Sequence, residues 1–221
     1  MNRIFHCGLM VMVAAGSSFA GLRLSFNLGG TSSYFGHEVP NGVNVEKQGM
    51  RPALMLGGDI GVDFKELFGF SAGLNIEDKG GTIRGNIINI IRGDELFKFH
   101  YLQVPVHARV YIPLLIPGSI MLSAGPEFGF NTERSLQVTL ANGSSSSENI
   151  DTLTVTHDIG ISGKLGYEIP VGRYFAFSIW GGYYYGFTDI LENKTKPEND
   201  INLYNRTIKY GASFIVTISE F

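Results

Sequence analysis

The chain has 221 residues, 44% of them hydrophobic and only 17% charged, with a formal net charge of −3 at pH 7. That apolar share excludes a disordered chain, and the absence of any basic run excludes a nucleic-acid binder that tracks phosphates. Glycine (29), phenylalanine (16) and tyrosine (10) are abundant, while a single cysteine excludes a disulfide scaffold and a Cys-zinc site.

Residues 1–20, MNRIFHCGLMVMVAAGSSFA, read as a cleaved secretory signal peptide. Arg3 supplies the positive start, Gly8 to Ala15 the apolar core, and Ser18-Phe19-Ala20 a small-x-small site before Gly21. The apolar run is too short to span a bilayer, and no later stretch reaches about 18 consecutive apolar residues. The reading is an exported chain with one domain, residues 21–221, and no transmembrane helix. Cleavage removes Arg3 and the only cysteine, Cys7, leaving the mature chain at −4 and without a thiol. Cys7 lies too early for a lipoprotein, and Ile4-Phe5-His6 lacks the usual small residue before it.

Strict period-2 alternation then recurs eight times, the pattern of strands with one oily and one wet face. GLRLSFNLGG (21–30) sets Leu22, Leu24, Phe26 and Leu28 against Arg23, Ser25 and Asn27. RPALMLGGDIGVDF (51–64) sets Leu54, Leu56, Ile60, Val62 and Phe64 against Asp59 and Asp63. FGFSAGLNIE (68–77) sets Phe68, Phe70, Leu74 and Ile76 against Ser71, Asn75 and Glu77. FHYLQVPVHARVYI (99–112) sets Leu102, Val104, Val106, Val110 and Ile112 against Tyr101, Gln103, His107, Arg109 and Tyr111. SIMLSAGPEFGF (119–130) sets Ile120, Leu122, Phe128 and Phe130 against Ser123 and Glu127. LTVTHDIGISGKLGYEI (153–169) opposes Ile159, Ile161, Leu165 and Tyr167 to Asp158, Ser162, Lys164 and Glu168. YFAFSIWGGYYYGF (174–187) carries Phe175, Phe177, Ile179, Tyr183, Tyr185 and Phe187 on one phase. RTIKYGASFIVTISEF (206–221) closes the series with Ile208, Tyr210, Phe214, Val216 and Ile218.

Short links at 65–67, 113–118 and 170–173 interleave with long loops at about 31–50, 79–98, 131–152 and 188–205. This rhythm predicts an all-β fold, an eight-stranded antiparallel up-and-down transmembrane β-barrel. TIRGNIINII (82–91) extends the third strand in the favoured reading; as a separate hairpin it would make ten strands.

A soluble lipocalin-like barrel has the same rhythm with its apolar face inward. Here the polar phase is mostly Gly, Ser, Asn and Gln with few charges of both signs, unlike a water-facing surface crowded with Lys, Glu and Thr. Those charges suit a narrow lumen, where Arg23, Arg109, Lys164 and Lys209 are expected to pair with Asp59, Asp63, Glu127 and Asp158. Phe64, Phe68, Tyr167 and Phe175 lie on the apolar phase beside the short turns. Phe128, Phe130, Tyr183, Tyr185 and Phe187 lie on it near the long loops. Two aromatic girdles around an aliphatic band are expected of a barrel crossing both bilayer interfaces. The oily face therefore meets lipid, and the sheet must close because no backbone group can stay unpaired in hydrocarbon. Pro105 cannot donate to a neighbour and marks either a bulge or one lost ladder bond.

Four segments in order, HYLQVPVHARVYI, MLSAGPEFGF, DIGISGKLGYEI and YYYGFTDI, resemble the PorT-like outer-membrane β-barrel family common in the Bacteroidetes lineage. The resemblance implies an eight-stranded, porin-like barrel of the bacterial outer membrane, inserted by the outer-membrane assembly machinery. Many such proteins have no assigned activity, and the founding one is linked to a protein-secretion system. Phe221 fits the assembly signal of such barrels but is one residue out of phase with Phe214, Val216 and Ile218. Either a bulge lies near Ser219-Glu220 or Phe221 sits beyond the last strand.

Asp59, Asp63 and Glu127 on one phase invite an acid–base or cation-binding reading, and charge pairing with lumen Arg and Lys is the favoured one. His100 and His107 face opposite sides and cannot share a metal, while His157 meets lipid headgroups near the outer rim. No G-x-S-x-G elbow occurs, and GISGKLG (160–166) lacks the residues a phosphate loop needs. Lys194, Lys196, Glu198 and the run Ser144–Ser147 read as solvated loops, and Asp151-Thr152-Leu153 resembles an O-glycosylation acceptor. No cofactor, no metal and no catalytic residue are expected. The expectation is a non-enzymatic outer-membrane protein with a structural or interaction role in a secretion or envelope assembly. Its partners are then outer-membrane lipid, the assembly machinery and a protein met through the outer loops. A small-solute channel and an outer-membrane lipid-modifying enzyme are the alternatives.

Overall fold

The computed structural model describes residues 19–38, 45–64, 67–85, 93–140, 145–149, 154–190 and 202–218. They form nine strands: β1 (Phe19–Glu38), β2 (Val45–Phe64), β3 (Phe68–Gly85), β4 (Gly93–Pro113), β5 (Ser119–Leu140), β6 (Ser145–Asn149), β7 (His157–Pro170), β8 (Phe175–Asp189) and β9 (Asn202–Ile218). All pairings are antiparallel and join neighbours in sequence, except that β7 passes over β6 to pair with β5 and β9 returns to β1 from Leu22↔Ile218 to Glu38↔Asn202; β5 pairs with both β4 and β7. Eight strands therefore close into a barrel, and β6 is a short extra strand folded back on the upper part of β5, Ser135–Thr139. Closure removes the sheet edges that would otherwise leave backbone groups unpaired in lipid.

The alternation read from the sequence sorts residues onto the two faces of this wall. Along β8 exposed and buried residues alternate from Phe175 to Phe187, and Ile179 is 68% exposed while its neighbours Ser178 and Trp180 are buried. All nine predicted girdle aromatics lie on the outer surface, Phe64 and Tyr167 half-buried and the others exposed. The polar set Ser25, Asn27, Ser71, Asn75, Ser123 and Ser178 faces inward. The apolar face is thus the outer one, which rules out the lipocalin arrangement. Among the described residues no helix is long and apolar enough to cross a membrane; this barrel crosses with strands.

The strands extend well beyond the predicted spans, always at the end opposite the short turns. β1 runs on to Glu38, β2 begins at Val45 and β5 reaches Leu140, so much of what reads as long loop is strand. Thr82–Gly85 extends β3 against Leu96 and its neighbours, which fixes the strand number at eight. These extensions need no hydropathy pattern of their own, because each residue simply continues a ladder already in register. β7 is shorter than predicted, starting at His157 rather than 153. Pro105 causes no bulge: the β3–β4 register is the same at Gln103↔Asn75 and at Val106↔Ala72 on either side of it. The irregularity in β4 lies instead between His100 and Tyr101, where the register against β5 shifts. Two short turns are closed by glycines in the left-handed region, Gly118 (φ 132°) and Gly172 (φ 83°). Residues 1–18 of the predicted signal peptide, Phe221, the 151–153 triplet, Lys194, Lys196 and Glu198 lie outside the described residues; Phe19 and Ala20 begin β1.

Candidate functional site

Among the described residues the barrel interior gathers most of the buried charge, and it is built in layers. At the short-turn end a cavity of about 610 Å³ opens between Pro113, Arg173, Tyr174 and Thr217. Its floor is an ion-pair knot. Arg23 donates to Asp63 (2.8 Å) and to Glu168 (2.7 Å), Arg109 lies 3.7 Å from Asp63, and the Tyr111 hydroxyl donates to Asp63 at 3.4 Å. β1, β2, β4 and β7 thus meet across the lumen through fork-shaped guanidinium contacts, which suit carboxylates better than a lysine would.

Above it sits a layer of small polar groups around a cavity of only about 30 Å³. Asn27 donates to Asp59 (2.7 Å), Ser213 to Asn27 (2.6 Å) and the Trp180 indole to Ser213 (2.8 Å), while His107 and Ser162 share a hydrogen bond of 2.7 Å. Lys164 holds its ammonium 5.0 Å from the Trp180 ring centre. Glycines make room for these groups, since a Cβ on Gly61 would lie 1.7 Å from Arg109 Nη2.

The third layer carries two lysines among three carboxylates, all fully enclosed. Lys209 bonds to Glu127 and lies 2.9 Å from Glu77; Lys79 lies 3.5 Å from Glu77 and 3.4 Å from Asp158. The Lys79 ammonium also sits 3.4 Å over the Tyr184 ring, and Asn205 donates to Asp158 (2.8 Å) and to Tyr101 (3.3 Å). Above this the lumen turns apolar. Phe35 meets Phe97 and Phe99 edge-on at 5.6 and 6.3 Å, and with Ile190 and Leu203 they are almost wholly buried.

All eight predicted lumen charges face inward. Three of the anticipated pairings form, Arg23–Asp63, Arg109–Asp63 and Lys209–Glu127. Asp59 is instead held by Asn27, Lys164 rests on Trp180, and Asp158 takes Lys79. Glu77 and Glu168 stand on the polar phase of their strands yet were not among the predicted charges, and Lys79 falls in a stretch that reads as loop. The inner aromatic stopper left little signal, because Phe35 and Phe97 lie outside the predicted strands and only Phe99 falls within one.

His100 and His107 do face opposite sides. His107 is buried in the lumen, whereas His100 faces outward and its Nδ1 lies 2.5 Å from Asp78, which also accepts from Arg51 at 2.8 Å. Among the described residues no three His, Cys, Asp or Glu are placed to hold a metal ion.

The family model described as "Outer membrane protein beta-barrel domain" matches residues 15–192. The curated proteins contain no match. Among solved structures, the outer membrane protein OprG from Pseudomonas aeruginosa superposes with a TM-score of 0.59 at 13% identity, over 92% of this chain and 98% of that one. The outer membrane protease OmpT from Escherichia coli gives 0.50 at 10% identity, over 91% and 98%. Neisserial surface protein A gives 0.47 at 12% identity, over 90% and 99%. At such identities the likeness is one of fold alone.

Proposed function

The chain belongs to the outer membrane protein beta-barrel domain family and resides in the bacterial outer membrane, and on that premise we propose that it is a closed, non-enzymatic barrel with a structural or interaction role. The observation that carries this reading is the filled lumen. A path through it would have to break the Arg23 knot, cross a cavity of about 30 Å³, part the Lys79–Lys209 cluster and displace the Phe35–Phe97–Phe99 stopper. Eight-stranded barrels are filled by side chains in this way. What the molecule offers to others is its outer end, where β1 to β5 rise past the apolar band and β6 folds back on β5. The assembly machinery that inserts it and a protein bound at that outer end are its partners in this reading. The likeness of HYLQVPVHARVYI and its companions to PorT-like barrels favours a place in a secretion or envelope assembly.

Conductance in planar bilayers tests the closed lumen. The purified barrel should give no discrete current steps; reproducible steps would make it a small-solute channel. The outward Asp78–His100 pair is the feature that favours a lipid-modifying enzyme. Mass spectra of total lipid from cells expressing the protein should match those of control cells. New lipid species that vanish with His100→Ala would establish the enzyme instead.

A further inference from the structure

Arg206 stands on the outer face of β9, between the lumen residues Asn205 and Thr207, yet only 9% of it is exposed. Its direct cross-strand neighbours are Tyr34 on β1 and Tyr185 on β8. The guanidinium lies 3.4 Å from the Tyr185 ring centre, and the Tyr34 and Tyr183 hydroxyls meet at 3.0 Å beside it. Ten residues separate Phe175 in the lower girdle from Tyr185, about the length with which a tilted strand crosses the hydrocarbon. Arg206 therefore sits at the outer interface, within the upper aromatic girdle.

A cation in that position needs an anion. Nη1 donates to the carbonyls of Gly186 (2.6 Å) and Asn205 (3.0 Å), and no carboxylate among the described residues pairs with it. Arg51, opposite Ser33 one position along β1, has Asp78 for its partner, so it and Arg206 differ in kind. Near a membrane interface a cation held by aromatic faces and carbonyls alone is under-compensated. Nη1 occupied leaves the Nε–Nη2 edge, three N–H donors in the fork that matches a phosphate. In the Tyr34–Tyr183 pair one hydroxyl donates to the other, and the acceptor keeps its own proton to give. Gly36 keeps the space open, since a Cβ there would lie 3.1 Å from Arg206 Nε.

We propose that Arg206, with Tyr34 and Tyr183, forms a binding site on the barrel's outer wall for a phosphate group of an outer-leaflet lipid. The aromatic faces strip water from the guanidinium and so strengthen its hold on the anion, while the lipid tails run down the apolar band below Tyr185.

Native mass spectrometry of the detergent-solubilised barrel, titrated with diphosphoryl lipid A or with its dephosphorylated form, tests this. The wild type should retain the phosphorylated lipid and bind the dephosphorylated one about tenfold or more weakly, the range expected for losing a charge-assisted hydrogen bond. Arg206→Gln should abolish that preference while still migrating as a compact barrel before boiling, and Arg206→Lys should keep part of it. Should Arg206→Gln fail to fold, the double variant Tyr34→Phe, Tyr183→Phe leaves the carbonyl contacts intact and should weaken the same preference. Inorganic phosphate should not displace the bound lipid; displacement at millimolar phosphate would make this a site for a free anion and overturn the lipid assignment. Equal retention of the two lipids, or a preference unchanged in the variants, would reduce Arg206 to a clamp for the Gly186 carbonyl.

Discussion

Lys209 shows what a single buried side chain does in this lumen. It is the shared partner of Glu77 and Glu127, and none of the three has appreciable contact with water. Lys209→Met keeps the volume and deletes the charge, leaving three carboxylates, Glu77, Glu127 and Asp158, around the remaining cation, Lys79. Breaking such a pair costs about 3–5 kcal/mol because the orphaned charge stays buried. Urea unfolding in lipid vesicles, followed by the fluorescence of Trp180, the only tryptophan, should show that loss. Adding Glu127→Gln should recover most of it. The sequence showed that Lys209, Glu127, Asp158 and Arg23 face inward, because parity alone settles that. Which of them pair it did not show, since each contact joins strands far apart in the chain, 82 positions for Lys209–Glu127.

An individual strand carries its face assignment locally and its length globally. Ile179, midway along β8, points to lipid between the buried Ser178 and Trp180. Ile179→Arg should therefore lower folding free energy in vesicles by about 2–4 kcal/mol, as a cation at the bilayer midplane does. A conservative change at Ser178, one residue away but inside, should leave lipid insertion intact. The spans 51–64, 68–77 and 119–130 were legible to within a residue at the short-turn end, where tight turns cut the pattern off. At the other end they were not, because β2 and β3 continue above the membrane without any need for an oily face. Lys79 was missed for the same reason, and so were Phe35 and Phe97 of the stopper. Their strands had outrun the alternation that identified them.

At the scale of the whole molecule, closure is the property that matters. β1 meets β9 over 17 consecutive pairs, and the ring has no free edge among the described residues. Such a barrel resists detergent until heated, so on a denaturing gel the unboiled protein should run ahead of the boiled one. A single band insensitive to boiling would be incompatible with a closed wall. The two features that give the molecule its functional character, the filled lumen and the Arg206 site on the outer wall, depend on that closure. The first places Arg23, Asp63 and Glu168 within reach of one another across the axis. The second places Tyr34 of β1 next to Arg206 of β9, at opposite ends of the chain.

The amino-acid sequence by itself determined the strand type, the face that meets lipid and the two aromatic girdles, and narrowed the strand number to eight or ten. All of these follow from a period of two and from the rhythm of short and long connections, which are local properties of the chain. Only the tertiary structure decided the partners of the lumen charges, the height of the wall, the aromatic stopper and the tyrosine-flanked arginine. Those depend on register and on the closing seam, and register couples residues that no local pattern connects.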